Sequence, residues 1–413
     1  MSLRTLAKPQ PANAVRPFLP YGRQVIEQGD IDAVCETLRG DFLTTGPAAG
    51  RFESALAKSV NANHAIVCAN GTAALYMAAR ALGLGPGTKI IVPSVTFLAT
   101  ASAAHLSGAE IVFADVDPDS GLMRPKDLKE ALDRAGNADA LFNVHLNGQC
   151  GALEEIAVIA RGHGARIVDD ACHALGTRYI DGSGVQSQIG ANALCDLSVF
   201  SFHPVKAIAM GEGGAVTTND AATAAILMRT RNHGMTRDTK DFTNLQDAFD
   251  SQGHPNPWYY ELIEPGFNWR ANDIQCALGV SQLAKLDRFL VQRRALATAY
   301  DELLAPYGPH LRPVTRQRSC LPALHLYVVQ IDFEFFDTTR AHVMQALANE
   351  GIGSQVHYFP VHRQPYYARR YGVADLPGAD RYYARALSLP FFASMTQDDV
   401  ERVVGTLVAI LNL

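Results

Sequence analysis

The chain has 413 residues, 48% of them apolar and 19% charged, which is the composition of a folded chain with a large core and not of a disordered one. Lys and Arg number 36 against 41 Asp and Glu, a net charge of −5 that argues against a nucleic-acid binder. No window approaches the ~20 apolar residues of a membrane span, and seven scattered cysteines without a C-x-x-C pair read as reduced thiols, so a cytoplasmic protein with no membrane partner is expected.

The first residues carry Arg4, Lys8, Arg16 and several prolines without the apolar run of a signal peptide, and 1–20 is expected to be an N-terminal extension. From about residue 60 to 220 short apolar runs alternate with helical patterns, the signature of a mostly parallel sheet. Strands are expected at 65–69, 89–93, 110–114, 140–145, 166–169, 197–202 and 214–218, and helices at 72–82, 126–135, 152–162 and 221–231. The polar stretch 235–257 reads as a surface loop or lid. A helical pattern over 273–304 reads as a connector, followed by strands at 325–331 and 354–358 and helices near 338–350 and 396–412. The expected fold is α/β, with a large seven-stranded sheet domain over 21–290 and a smaller C-terminal α/β domain over 291–413.

In open parallel sheets ligands bind beyond the carboxyl ends of the strands, so residues just after each strand carry the chemistry. After 65–69 come Asn70, Gly71 and Thr72, then a helix: free N–H groups, a partial positive charge and a hydroxyl suit a phosphate, although an ordinary capped turn reads equally well. After 166–169 two adjacent aspartates, Asp169 and Asp170, cannot both be buried without partners, so one is expected in a site, where it could hold a protonated ring nitrogen. Lys206 follows 197–202 among Val205, Ala207, Ile208, Ala209 and Met210. Desolvation there would lower its pKa and leave an amine able to attack a carbonyl, with a snorkelling surface lysine as the plain alternative. Gly211-Glu212-Gly213-Gly214 permits tight turns, but Glu212 is not explained by a turn. The glycines at 83–87 precede a strand and are not a dinucleotide loop, and no H-E-x-x-H occurs, so no metal is expected.

A phosphate cup, an aspartate and a desolvated lysine in this order are what pyridoxal 5′-phosphate requires. The stretches Asn70 to Leu75, Pro93 to Phe97, Asp169 to Gly176, Ser201 to Lys206, Gly211 to Gly214 and Gly266 to Arg270 resemble the DegT/StrS family of nucleotide-sugar aminotransferases, of the aspartate aminotransferase (type I) fold. The resemblance implies Lys206 as Schiff-base lysine and proton shuttle, and Asp170 as partner of the pyridinium nitrogen. It implies Gly71, Thr72, Ala73 and Ser201 around the phosphate, Phe97 stacked on the ring, and His173 near the ring oxygen. Asn268 resembles a residue that reaches the phosphate from a partner subunit, which implies a homodimer sharing its sites.

Ser201 to Lys206, His233-Gly234, Pro257 to Glu261 and His357 to His362 are similar to the UDP-4-amino-4,6-dideoxy-N-acetyl-altrosamine transaminases of pseudaminic acid biosynthesis. This implies L-glutamate as donor and a UDP-linked 4-keto-6-deoxy-N-acetylhexosamine as acceptor. Tyr259, Tyr260, His357, Tyr358 and His362 are candidates for the sugar and nucleotide pocket, and Arg270 for an anionic group or a structural salt bridge. An aminotransferase for another nucleotide sugar, of perosamine type, or a dehydratase of the same fold stays open. The family's dehydratases place histidine at the lysine position, so Lys206 favours the aminotransferase.

Overall fold

The computed structural model describes residues 17–413, so residues 1–16 of the expected N-terminal extension lie outside the described residues. Seven five-residue strands form the main sheet, in the order His64–Cys68, Gly214–Thr218, Leu197–Ser201, Arg166–Asp170, Ala140–Val144, Lys89–Pro93 and Glu110–Ala114. Gly214–Thr218 runs antiparallel to both neighbours, and the rest are mutually parallel. Such strands must be apolar on both faces, and Ala140–Val144 and Gly214–Thr218 are buried at every position. The helices Gly71–Ala81, Leu98–Leu106 and Ala221–Arg231 share one core with the sheet. Pro125–Ala135 and Leu153–Gly162 share another, and Pro47–Val60 and Asp273–Leu283 a third.

A second, antiparallel sheet pairs Leu311–Pro313 with Tyr327–Ile331 and then Ala386–Leu389. The helices Leu286–Leu304, Arg340–Asn349 and Gln397–Ile410 pack a separate core with it. Arg293, 3% exposed, ties this unit together by donating from Nη1 to the carbonyls of Leu324, His325 and Phe391.

The structure corrects several expectations. Residues 17–20 are docked and do not extend away, since Leu19 donates to the Gly351 carbonyl at 2.9 Å and bridges Ile352. The stretch 354–358 is not a strand: only Gln355 pairs, with Ser388, while its neighbours turn to wall a cavity, and the third strand of that sheet is Ala386–Leu389. The helical pattern 273–304 breaks at Ala284 and Lys285, where Lys285 Nζ reaches the buried Asp30 at 2.8 Å. The middle of the 235–257 stretch is tied to Glu261, which accepts from the N–H groups of Thr243 and Asn244, the Thr243 hydroxyl and Tyr259 Oη. Those donors push the Glu261 carboxyl down to about 2. The helix Leu98–Leu106 escapes periodicity because its sequence, LATASAAHL, is small and apolar nearly all round.

Candidate active site

At the carboxyl ends of the parallel strands lies a cavity of about 990 Å³. It gathers Gly71, Thr72, Ala73, Phe97, Asp170, His173, Ser201, Lys206, His357 and Tyr358, all singled out by the sequence.

The cup at its floor follows from chain geometry. Asn70 is extended and caps the helix Gly71–Ala81, accepting the Ala73 N–H on Oδ1 at 2.9 Å, while its carbonyl accepts the Ala74 N–H at 3.1 Å. The N–H groups of Gly71 and Thr72 precede any possible intrahelical partner and are left for a ligand, whereas Ala73 contributes only a wall. A Cβ on Gly71 would stand 3.0 Å from Ser201 Cβ, 3.3 Å from its Oγ and 3.4 Å from Cys172 Sγ, so glycine keeps this cup open.

Successive side chains on a strand turn to opposite faces, and Asp169 and Asp170 obey that rule. Asp170 faces the cavity, 6% exposed, and accepts from Thr100 Oγ1 at 2.6 Å and from the Cys172 N–H at 3.2 Å. Thr100 in turn meets Thr96 Oγ1 at 2.8 Å. No cation neutralises Asp170 at contact distance among the described residues, so a buried carboxylate with neutral donors waits for a positive partner. Asp169 instead points away and meets His145 Nε2 at 3.2 Å.

Lys206 keeps an intermediate exposure to the cavity, yet burial of its amine lowers the pKa from the usual value, against the through-space pull of Cys172 and Asp170. Burial acts on the imidazoles around it as well and keeps them neutral. Burial, then the Lys206 charge, pushes His173 well below its ordinary range and takes His357 down to about 3. His325 lies against His173, tilted by 44° with centroids 4.3 Å apart, and is depressed by burial and by that neighbour. His173 Nε2 lies 3.1 Å from Tyr358 Oη, and Tyr358 faces the exposed ring of Phe97 across 5.9 Å.

Five expected residues lie elsewhere. His362 is 1% exposed behind the wall, with Nδ1 2.5 Å from Ser94 Oγ, because Val361 N–H is pinned to the Ser94 carbonyl. Tyr259 spends its hydroxyl on Glu261 and packs edge-on against Phe242, and Tyr260 is exposed beneath Arg237. Asn268 bridges Asn232, and Arg270 donates to the Asn232 side chain, which is not a salt bridge and lies on a second, separate cavity. Their neighbours Phe267 and Trp269 alternate with them and do line the cavity. Trp258, within the stretch Pro257 to Glu261, is 72% exposed. Thr100, Tyr21 and His325 complete the wall without having been anticipated. Only their three-dimensional neighbours mark them, since Thr100 and Asp170 are seventy positions apart.

Comparison with known proteins agrees with this geometry. The model of the DegT/DnrJ/EryC1/StrS aminotransferase family matches residues 24–408. The chain is 36% identical over 394 residues to the spore coat polysaccharide biosynthesis protein SpsC of Bacillus subtilis (strain 168), covering 94% of this chain and 95% of that one. Among solved structures it is similar to Helicobacter pylori PseC, an aminotransferase involved in the biosynthesis of pseudoaminic acid, with a TM-score of 0.85, 27% identity and coverage of 96% and 99%. It is also similar to DesV of S. venezuelae, with a TM-score of 0.82, 28% identity and coverage of 96% and 100%. The chain belongs to the DegT/DnrJ/EryC1/StrS aminotransferase family and is a pyridoxal-phosphate-dependent sugar aminotransferase.

Proposed function

We propose that the protein moves the amino group of L-glutamate to the C4 keto group of a UDP-linked 4-keto-6-deoxy-N-acetylhexosamine, for pseudaminic acid or a related surface sugar. The observation that carries the reading is the convergence of Lys206, Asp170 and the Gly71–Thr72 N–H groups on one cavity. The likeness to PseC and to SpsC supports a surface-sugar acceptor.

The residues fit pyridoxal phosphate on their own chemistry. The N–H groups of Gly71 and Thr72 with the Ser201 hydroxyl would hold the phosphate, the uncompensated Asp170 carboxylate the ring nitrogen, and Phe97 one ring face. Bound there, the cofactor supplies a carbonyl for amine exchange and an electron-withdrawing ring. Lys206 Nζ, made less basic by burial, would hold the cofactor's carbonyl carbon and would take a proton from, and return it to, the donor or acceptor carbon. His173, His325 and His357 stay neutral and do not compete for that proton.

The reading includes a homodimer in which Asn268 of one copy serves the cavity of the other. Its support is that Phe97, Leu98, Leu106 and Phe267 wall the cavity while remaining between 47% and 69% exposed, an apolar rim that a second copy would cover. The division into domains near residue 290 is part of the same proposal, supported by the separate core of the second sheet.

The test is visible absorption of wild type and Lys206→Ala with pyridoxal phosphate, then glutamate, then UDP- and TDP-linked 4-keto-6-deoxy sugars. Wild type should show the band of lysine-bound pyridoxal phosphate, bleach with glutamate and recover with the UDP sugar, while the variant keeps only the spectrum of unattached pyridoxal phosphate. Recovery with the TDP sugar alone would overturn the acceptor, and no response to glutamate would overturn the donor.

A further inference from the structure

Beyond the cofactor cup, the cavity holds a hydrogen-bond chain whose polarity the backbone fixes. Asn147 adopts a left-handed conformation, φ 59°, inside a turn that follows the strand Ala140–Val144. It is 2% exposed and held by its oxygens: its carbonyl accepts the His325 N–H at 3.3 Å and its Oδ1 accepts the Leu326 N–H at 2.6 Å. Its own N–H donates to His173 Nδ1 at 3.2 Å. At the next residue, Gly148, φ is 75° and a Cβ would stand 2.7 Å from the His173 carbonyl, so the turn and His173 are locked together.

A nitrogen that accepts an N–H carries no proton of its own. His173 is therefore the neutral Nε2–H tautomer, and the 3.1 Å contact runs from Nε2–H to Tyr358 Oη. With that oxygen already accepting, the phenol proton is turned away from His173. Among the described residues no group takes it, and Tyr358 lines the cavity with Lys206 and Asp170.

We propose that Tyr358 is a hydrogen-bond donor to an oxygen of the bound ligand, with Asn147 and His173 as the positioning residues that aim it. The chemistry required is a carbonyl or anionic oxygen that gains charge as the amine is transferred, and either the keto sugar or the cofactor ring can supply it. The inference rests on the proposed reading of the cavity. Burial, then the nearby Asp170 and Cys172, holds the Tyr358 phenol well above its ordinary range, which keeps it a donor throughout the neutral range.

The experiment has two parts. Nitrogen-15 NMR of histidine-labelled protein, without added ligands, should show His173 protonated at Nε2 only and unchanged between about pH 5 and 8. Protonation at Nδ1 overturns the proposal whatever the variants do. In the holoenzyme, the two half-reactions are then followed separately. Tyr358→Phe should still turn yellow with pyridoxal phosphate and lose about 10²-fold in rate, the scale of one removed oxyanion donor. Loss confined to the sugar half-reaction assigns the acceptor to the sugar oxygen, and equal loss in both assigns it to the cofactor ring oxygen. His173→Leu should follow Tyr358→Phe, while His173→Gln, whose amide can accept from Asn147 and donate to Tyr358, should recover most of the rate. Wild-type rates in both half-reactions of Tyr358→Phe overturn the proposal while the colour with pyridoxal phosphate leaves the cavity reading intact.

Discussion

Asp169 and His145 meet at 3.2 Å on the side of the strand Arg166–Asp170 opposite the cavity, and both are nearly sealed from solvent. The contact lacks hydrogen-bond alignment at His145 Nε2, so it is first a charge pair. Burial opposes both charged forms, yet mutual attraction prevails, lowering the Asp169 carboxyl below 3.8 and raising the His145 ring above 6.5.

Asp169→Asn should therefore destabilise the protein by about 3–5 kcal/mol, the cost of stranding one member of a buried pair. The lowered aspartate contributes stability above its unfolded pKa and loses it as pH falls through the folded value. The raised histidine contributes below its unfolded pKa and loses it as pH rises through the folded value. Urea unfolding of wild type and variant should show the largest gap between about pH 4 and 6.5, narrowing on both sides. A gap independent of pH would show that packing alone is at stake.

Asp170→Asn removes the carboxylate whose charge holds the Lys206 amine up against burial. The pKa of Lys206 should fall further, so reductive trapping of an aldehyde by the apoprotein should shift its midpoint to lower pH. Turnover should drop by about 10²–10³-fold through loss of the carboxylate opposite the ring nitrogen. An upward midpoint would contradict the arrangement.

Gly71→Ala places a methyl 3.0 Å from Ser201 Cβ, in the cup and not in the core. Pyridoxal phosphate affinity should fall at least tenfold, about 1.4 kcal/mol, with thermal stability of the apoprotein nearly unchanged. Equal losses in both would place the glycine's role in folding.

Mixing two inactive variants tests the shared site. Lys206→Ala and Asn268→Ala subunits, refolded together, pair at random, and each mixed dimer regains one complete cavity, so about one quarter of wild-type activity should return. If Asn268→Ala alone is active, or the mixture stays silent, the cavity is complete within one chain.

The strands of the main sheet were legible because they are short apolar runs between helical patterns, and Asp170 and Lys206 because the first ends one strand and the second follows the end of another. The stretch 354–358 misled because its alternation comes from residues that turn into a cavity instead of across a sheet. His362 misled for a related reason, since its neighbours at 357 and 358 face the cavity while it turns behind them to Ser94. Nothing local identifies Thr100 or Asn147, whose roles depend on partners brought in from other strands.

Gly214 begins the one reversed strand, and its α-carbon lies so close to the Asn70 carbonyl that any side chain there would collide with backbone. The floor of the cup and the end of the lysine segment are thus a single mechanical part. Transplanting the amine into another scaffold would require moving residues 70–72 and 201–214 together, and a saturation library at position 214 should return glycine alone.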